Sequence, residues 1–395
     1  DQGRGAEAER LLRDALAMRE ARLGVRHTDV ALSLRELASV LSTRGALTEA
    51  ESLLHRGIAI DSQAYGAVHA EVARDLEILS NVLHAKSDHV GAIDAARRTL
   101  EIRREVLGEE HLETATAKNN LALYVSRVGE LDEAERLYRD VLAFDIDRLG
   151  EEHPYTATVT NNLASVLRRK GDLDQAEVLY RQVLALDIRL FGEVHHYVAT
   201  VMNNLAVVQR ERGEMAEAET LFRDALEMFR DIFGDDHYSV GTAYAHLAET
   251  LRRRGAYAEA EPLFLEALDR LTTAFPDGHV RTASALLGRG RLLTETGRAS
   301  DGEPLLREAV AIRESMLGVT EALTIDAQRA LGDCLTAQGR FGEAEPILLA
   351  AWRAIDGKRY AERERREMAA SLVALYERWG RPADAGPYQV ISVGT

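Results

Sequence analysis

Apolar residues recur at three- and four-residue steps along the chain, and between residues 114 and 150 they form two separate stripes. The first stripe contains Leu121, Ala122, Val125 and Val128. The second contains Leu131, Ala134, Leu137, Tyr138, Val141 and Leu142. Such periodicity predicts two amphipathic helices. Gly129 and Gly150 follow the two stripes, as expected at helix C-termini, so the segment is predicted to be an antiparallel helix pair.

The same pattern returns every 42 residues. Glycine marks the turn inside each pair at positions 3, 45, 129, 171, 213, 255, 297 and 339, with Ser87 in the same series. A second glycine stands at positions 24, 66, 108, 150, 192, 234 and 318, and a histidine follows that series at positions 27, 69, 111, 153, 195, 237 and 279. Self-similarity at this period indicates a stacked array, in which each repeat buries its apolar face against its neighbours.

The period predicts where each helix lies. First helices are expected near 28–43, 70–86, 112–128, 154–170, 196–212, 238–254, 280–296, 322–338 and 362–379. Second helices are expected near 6–22, 48–64, 90–106, 132–148, 174–190, 216–232, 258–274, 300–316 and 342–356. A single array is expected over residues 1–381, with an incomplete first repeat and the strongly charged segment Lys358–Arg366 opening a final capping helix. Residues 382–395 are expected to form a tail, non-helical from Gly386 onward, that is either disordered or an extended segment folded back into the groove of the array.

Composition narrows the classes of partner and location. The net charge of −16 disfavours nucleic acid as the general partner, because phosphate binding needs a basic surface. No apolar run is long enough to predict a membrane span. The single cysteine, Cys334, excludes an internal disulfide and fits a reducing, cytoplasmic compartment. Arginine far exceeds lysine, which hints at a bacterial source, and the opening within a repeat suggests a piece of a longer protein.

Two motifs carry a family resemblance. The run L-A-x₆-G-x₃-E-A-E-x-L-[YF]-x₂-[AV]-L, seen most fully at Leu163–Leu184 and Leu205–Leu226, resembles the tetratricopeptide repeat. The longer repeat, with N-N-L-A and the closing motif at Leu149–Pro154, resembles the kinesin light chain subclass. The resemblance implies an all-α, right-handed superhelical solenoid of helix pairs, with first helices lining a concave groove. It says little about function.

Three asparagines are the first candidate binding residues. In the family, the residue before the conserved leucine of the first helix faces the groove, and an asparagine there commonly clamps the backbone of a bound peptide. By position this implies roles for Asn120, Asn162 and Asn204, with His246 at the equivalent position of the next repeat. An amide suits the role because it donates and accepts together. The alternative is that these side chains bond neighbouring helices within the stack.

Arginines occur on the same helices, about six residues further along. The residues are Arg168, Arg169, Arg210, Arg252 and Arg253. They predict a local positive stripe that could take carboxylates or a phosphorylated segment. The alternative is that arginine near a helix C-terminus stabilises the helix dipole.

No residue pattern supports catalysis or a cofactor. The repeated histidines are one per repeat, too far apart for a shared metal shell, so each is predicted to bond backbone at a corner between repeats. Cys334 is predicted to be a buried, inert thiol, because no histidine partner is positioned in sequence. The chain lacks a phosphate-binding glycine loop, a nucleophilic serine motif and a zinc motif. We therefore expect no enzyme activity, no cofactor and no metal.

Two functions remain open. The first is a scaffold whose groove binds an extended, acidic peptide segment of a partner protein. The second is a regulatory or inhibitory module that holds a kinase or a caspase-like protease in a bacterial signalling or defence pathway until cleavage or a ligand releases it. The irregular corner at Thr272–Gly278, which contains Pro276, motivates the second hypothesis as a site of proteolytic nicking. Oligomeric state is not predicted.

Overall fold

A computed structural model describes residues 2–319, 321–356 and 362–393. Within these ranges the chain forms nineteen α-helices and no strand. They fall into two compact units, Asp1–Arg169 and Lys170–Thr395, called unit 1 and unit 2 below. The predicted all-α architecture of helix pairs is confirmed, and one continuous array over residues 1–381 stays a prediction.

Even-numbered helices are the first helices of the repeats, and odd-numbered ones are the second helices. Unit 1 contains α1 (Gln2–Leu23), α2 (Thr28–Thr43), α3 (Leu47–Tyr65), α4 (Ala70–Ala85), α5 (His89–Leu107), α6 (Leu112–Arg127), α7 (Leu131–Leu149) and α8 (Pro154–Lys170), which ends one residue past the division. Unit 2 contains α9 (Leu173–Phe191), α10 (His196–Arg212), α11 (Met215–Phe233), α12 (Tyr238–Arg253), α13 (Tyr257–Ala274), α14 (Val280–Glu295), α15 (Ala299–Leu317), α16 (Ala322–Ala337), α17 (Phe341–Asp356), α18 (Glu362–Arg378) and α19 (Pro382–Val393).

The turn inside each pair explains why the helix ends were predictable. Gly45 adopts φ +81°, and the Ala46 N–H donates to the Leu41 carbonyl at 2.9 Å, which closes a Schellman turn. Glycine recurs at this position with positive φ, and Ser87 adopts the left-handed conformation in its place, with φ +63°. From α2 to α18 every predicted end lies within one residue of the observed one, while α1 begins four residues earlier than predicted.

The repeated histidines begin the first helices. Nδ1 of His27 accepts a hydrogen bond from the backbone N–H of Asp29 at 3.1 Å. The histidines at positions 69, 111, 153, 195, 237 and 279 make the same bond, at 3.1 to 3.3 Å. Each satisfies an N–H group that the helix itself cannot pair. The predicted backbone bond at the corner is confirmed.

Small residues hold the two layers of helices together. The fourth residue of each second helix from α3 to α17 is alanine, except for Gly302 in α15. These alanines have no exposed surface, and a Cβ atom on Gly302 would lie 2.7 Å from the Gly290 carbonyl oxygen of α14. Within each unit the first helices of successive repeats also contact one another, as α2 does α4 and α12 does α14.

The prediction of a non-helical tail is wrong for residues 386–393. Residues 382–393 form α19, which packs against α18. Ala385 is fully buried, and the Tyr388 ring meets Trp352 edge-on at 5.3 Å. Pro382 fits the first helical position because its missing N–H has no helical partner there. The predicted charged segment Lys358–Arg366 begins outside the described residues, whereas α18 lies where the final helix was expected.

Candidate functional site

Asn120, the first predicted clamp residue, bonds a neighbouring helix. Its Nδ2 donates to Oε1 of Glu77 at 3.3 Å, across 43 residues from α6 to α4. The Glu77 carboxylate also accepts two hydrogen bonds from Arg103 of α5, at 2.7 and 3.3 Å. The geometry therefore agrees with the structural alternative at this position, and a role of Asn120 in peptide binding stays a prediction.

Asn162 differs from Asn120. It lies half-buried on α8, and its amide makes no hydrogen bond to a described residue. Arg169 lies seven residues later, on the same face of the helix. That guanidinium is exposed and donates from Nη1 to the carbonyl of Ser126 at 2.5 Å. Half-buried Arg168 precedes it, so α8 carries an amide and two guanidinium groups between residues 162 and 169.

In unit 2 the structure brings His246 and Arg210 together. Nδ1 of His246 lies 2.8 Å from Oδ1 of Asn203, the first asparagine of its pair and not the predicted Asn204. The His246 carbonyl accepts a hydrogen bond from Nη1 of Arg210 at 3.1 Å. The same guanidinium lies 5.3 Å from the centre of the Phe222 ring. Both predicted residues thus join first helices α10 and α12, and Asn204 is half-buried beside them.

Arg252 and Arg253 share a carboxylate of their own helix. Arg252 binds both oxygens of Glu249, at 2.8 and 2.9 Å, and Arg253 binds one of them at 2.7 Å. Burial alone would raise the pKa of Glu249, but the hydrogen bond and charge of Arg252 hold that pKa well below its usual range. Arg252 also pairs with Glu295. Their positive charge is therefore balanced within the unit.

Another carboxylate of unit 2, on first helix α16, is also surrounded by guanidinium groups. Asp326 of α16 accepts a hydrogen bond from Arg291 at 2.5 Å and one from Arg329 at 3.1 Å. Arg313 lies 3.6 Å away. Burial opposes the ionised form of Asp326, yet these guanidinium groups keep its pKa well below the usual range. An anionic ligand would have to compete with this carboxylate.

A cavity in unit 1 was not predicted from the sequence. Its volume is about 400 Å³. Arg35, Arg74, Glu77, Ile78, Arg103, Glu113 and Thr116 line it. These residues come from first helices α2, α4 and α6 and from α5, so the cavity lies on the side where first helices meet. The sequence contains one signal for this cavity. Equivalent positions of successive repeats carry opposite charges, because Arg35 and Glu77 lie 42 residues apart.

Three carboxylates surround Arg35. It is only 8% exposed, and it bonds to Asp75 at 2.5 Å, Glu71 at 2.7 Å and Asp61 at 3.1 Å. Burial raises the pKa of Asp75 to about 6, against the opposing effect of Arg35. Burial also raises the pKa of Asp61. The cluster holds α2, α3 and α4 together and carries more negative than positive groups.

The described residues offer no grouping for a metal. No three histidine, cysteine, aspartate or glutamate side chains in that part of the chain are arranged to hold an ion. Cys334 is buried, and its Sγ lies 3.2 Å from the Ala299 carbonyl oxygen. The prediction of a buried thiol is confirmed.

The profile of one repeat family matches nearly the whole chain. It is described as the tetratricopeptide repeat, and it matches residues 1–63, 29–104, 71–147, 143–189, 155–231, 197–273 and 281–354. The chain belongs to the tetratricopeptide repeat family. Proteins of this family are built from stacked helix pairs that present binding surfaces for other proteins, so the chain is a protein-interaction scaffold.

Several solved structures are similar to this chain. BtubC (BKLC) from P. vanneervenii is 22% identical over 59% of this chain and 92% of its own, with a TM-score of 0.50. A structure of kinesin light chain TPR-like repeats from Podosopora anserina is 23% identical over 52% of this chain and 98% of its own, with a TM-score of 0.47. At such identity the likeness to BtubC is one of fold alone. No protein of curated function matches the sequence.

None of the helices that the structure describes combines the length and apolar character needed to cross a bilayer.

Proposed function

We propose that the chain is a non-enzymatic scaffold that holds an extended, acidic peptide segment of a partner protein. The segment would lie on the first-helix face, meaning the solvent-facing side of the first helices of one unit. The observation that supports the proposal is the state of the Asn162 side chain. Its amide is half-buried and makes no hydrogen bond to a described residue. An amide in that state can donate to a peptide carbonyl and accept from the next N–H.

The charge beside Asn162 supports an acidic segment. Arg168, Arg169 and Lys170 are three consecutive cations at the end of α8, in a chain of net charge −16. Guanidinium groups bind carboxylates through paired, charge-assisted hydrogen bonds. We therefore place the acidic segment on α8 of unit 1. Asn204, His246 and Arg210 stay predicted positions on the first helices of unit 2.

Direct binding tests the proposal. A pull-down with the intact chain would first identify the partner, and its acidic segments would then be measured as labelled peptides by fluorescence anisotropy. Asn162→Ala should weaken binding about tenfold, because a lost hydrogen-bonding partner costs about 1–3 kcal/mol. Arg168→Glu combined with Arg169→Glu should abolish binding.

Asn120→Ala is the matched control, since it removes an amide at the same repeat position that already bonds Glu77. It should change the peptide affinity by less than threefold. Equal losses in Asn120→Ala and Asn162→Ala, or none in either, would refute the clamp.

We also propose a kinesin light chain-like subclass, a bacterial source and a cytoplasmic location for the chain. The 42-residue period and the closing motif at Leu149–Pro154 support a kinesin light chain-like subclass, and the excess of arginine supports a bacterial source. A cytoplasmic location rests on the single buried thiol of Cys334.

The regulatory alternative depends on the corner at Phe275. This corner has five residues between its helices, one more than the corners that precede α2, α4, α6, α8, α10, α12 and α16, and Pro276 and Asp277 are exposed. Limited proteolysis tests it: selective cutting between Phe275 and Val280 with loss of the partner would support release by cleavage, and uniform resistance would count against it.

A further inference from the structure

Three successive corners of unit 2 carry aromatic rings beside their capping histidines. Phe191 stacks on His195 with ring centres 4.6 Å apart. The Phe233 ring lies 4.4 Å from its capping histidine, and the Phe275 ring lies 4.4 Å from its own. We call the ring-bearing residues of 191–197, 233–238 and 275–279 the aromatic ladder.

Ring contacts join one corner to the next. His196 lies 6.1 Å from Phe233, and Tyr238 meets Phe275 edge-on at 5.7 Å. The aromatic ladder is therefore one continuous row along the edge of unit 2 where second helices lead into first helices.

Capping alone does not require these rings. In unit 1, Leu23, Leu107 and Leu149 take the place of the phenylalanines, and the histidines there make the same backbone bond. The ladder nevertheless leaves much of its ring surface in solvent: Tyr197 is 48% exposed, Phe233 40% and Tyr238 37%. Contiguous exposed apolar surface of this kind is typical of a protein-interaction site.

The charges around the ladder indicate which partner fits. Glu193, Asp236 and Asp277 are exposed acidic residues of the same three corners, where the exposed Asp235 already pairs with Arg230 at 2.5 Å. One guanidinium group of the chain already lies against a ring of the aromatic ladder, because Arg281 lies 5.2 Å from the centre of the Tyr238 ring. Ring faces attract cations, and the planar guanidinium also stacks on them. Acidic residues beside exposed rings complement a basic, arginine-containing segment.

We propose that the aromatic ladder is a second docking surface, which binds an arginine-rich segment of a protein partner by stacking guanidinium groups on exposed rings beside the corner carboxylates. This surface is separate from the first-helix face and selects the opposite charge. A scaffold with both would join an acidic segment to a basic one.

The test uses the full chain and labelled hexa-arginine, hexa-lysine and hexa-glutamate peptides, at about 150 mM salt to screen the general negative charge. The chain should bind hexa-arginine more tightly than hexa-lysine and should not bind hexa-glutamate at this surface. Phe233→Leu with Tyr238→Leu should weaken hexa-arginine binding by about 5- to 30-fold, as expected for losing two contacts of about 0.5–1 kcal/mol each.

Leucine is chosen because the equivalent positions of unit 1 carry Leu149 and Leu112, so the repeat tolerates it. Tyr65→Leu, which removes the isolated ring stacked on His69 at 4.4 Å, is the matched control and should leave the affinity unchanged. Asn162→Ala should also leave it unchanged, which separates this proposal from the proposed function.

Three results would overturn the inference: equal binding of hexa-lysine and hexa-arginine, an unchanged affinity in the double variant, or an equal loss in Tyr65→Leu. Self-association of the chain that disappears in the double variant, without any effect of peptide, would instead show that the ladder binds a second copy.

Discussion

Arg103 and Glu77 form a partly buried ion pair across one helix pair, with two hydrogen bonds of 2.7 and 3.3 Å between α5 and α4. One repeat earlier the same two positions carry Arg35 and Asp61, joined at 3.1 Å with the charges exchanged. In both cases the partners are 26 residues apart. In these two repeats, therefore, either position of the pair can carry either sign of charge, with the opposite sign at the other.

Charge exchange should rescue a broken pair. Arg103→Asp should destabilise the chain by about 3–5 kcal/mol, because Arg103 is only 5% exposed at its side chain and its loss leaves Glu77 facing a like charge. Adding Glu77→Arg should recover more than half of that loss. Denaturant midpoints measure both changes.

The control for this exchange is Arg97→Ala, which removes an exposed pair with Glu133 and should cost less than about 1 kcal/mol. A double variant no more stable than Arg103→Asp would show that the pairing does not determine the loss.

Glycine at residue 87 should stabilise unit 1. Ser87 holds φ +63°, a left-handed conformation that costs a residue with a Cβ atom about 1–2 kcal/mol. Ser87→Gly should raise the free energy of unfolding by about 1 kcal/mol. The reciprocal change Gly129→Ser, at φ +87° in the next repeat, should lower it by a similar amount. Thermal or chemical unfolding that shows the same sign for both would contradict this account.

Acid should remove the cap at His279. Burial, together with the charge of Arg281, lowers the pKa of His279 below its ordinary value. The capped, neutral form contributes stability above the unfolded-state pKa of about 6.5, and that stability is lost as the pH falls through the folded-state pKa. Once Nδ1 of His279 is protonated, it cannot accept the hydrogen bond from the backbone N–H of Arg281.

His279→Asn keeps an acceptor at the cap but removes the titrating group. The variant should match the wild type near pH 8 and should become the more stable of the two as the pH falls below about 6.5. Parallel curves for the two proteins between pH 8 and pH 5 would rule out this cause.

A buried carboxylate in α7 should act with the opposite sign. Asp145 has no exposed surface, both its oxygens lack a hydrogen-bond partner among the described residues, and burial raises its pKa to about 6. Its folded-state pKa exceeds the unfolded value of about 3.9, so the stability present below pH 4 is lost as the pH rises through 6.

Asp145→Asn should therefore stabilise the chain by about 2–3 kcal/mol at pH 8 and by little at pH 4. Asp147→Asn, at a side chain 75% exposed, should have no effect at either pH and serves as the control. Equal stabilisation at the two pH values would indicate a packing effect and not titration.

The helix bounds could be predicted because each end depends on a local residue type. Gly129 ends a helix through its own positive φ, and His111 begins one through a bond only two residues away. The tail after Pro382 was predicted wrongly for the opposite reason. Gly386 and Pro387 suggest a break, and the contacts that hold α19, such as Tyr388 against Trp352, come from a distant part of the chain.

The candidate site was less predictable, because its partners lie one repeat away. The family pattern named Asn120, Asn162 and Asn204 as equivalent, yet Asn120 bonds Glu77 while Asn162 has no such bond. That difference depends on what a residue 43 positions earlier happens to be. Similarly, Arg252 and Arg253 share the carboxylate of Glu249, a residue that the family pattern does not single out.

The pairing of residues 26 apart also bears on how such a gene can lengthen or shorten. Both members of each pair, Arg35 with Asp61 and Glu77 with Arg103, lie between one corner and the next. A duplication or deletion whose breakpoints fall at corners copies or removes the two codons of such a pair together, so the two charges of the pair stay matched. Recombination between repeats can thus change their number while the sign of each pair is inherited intact.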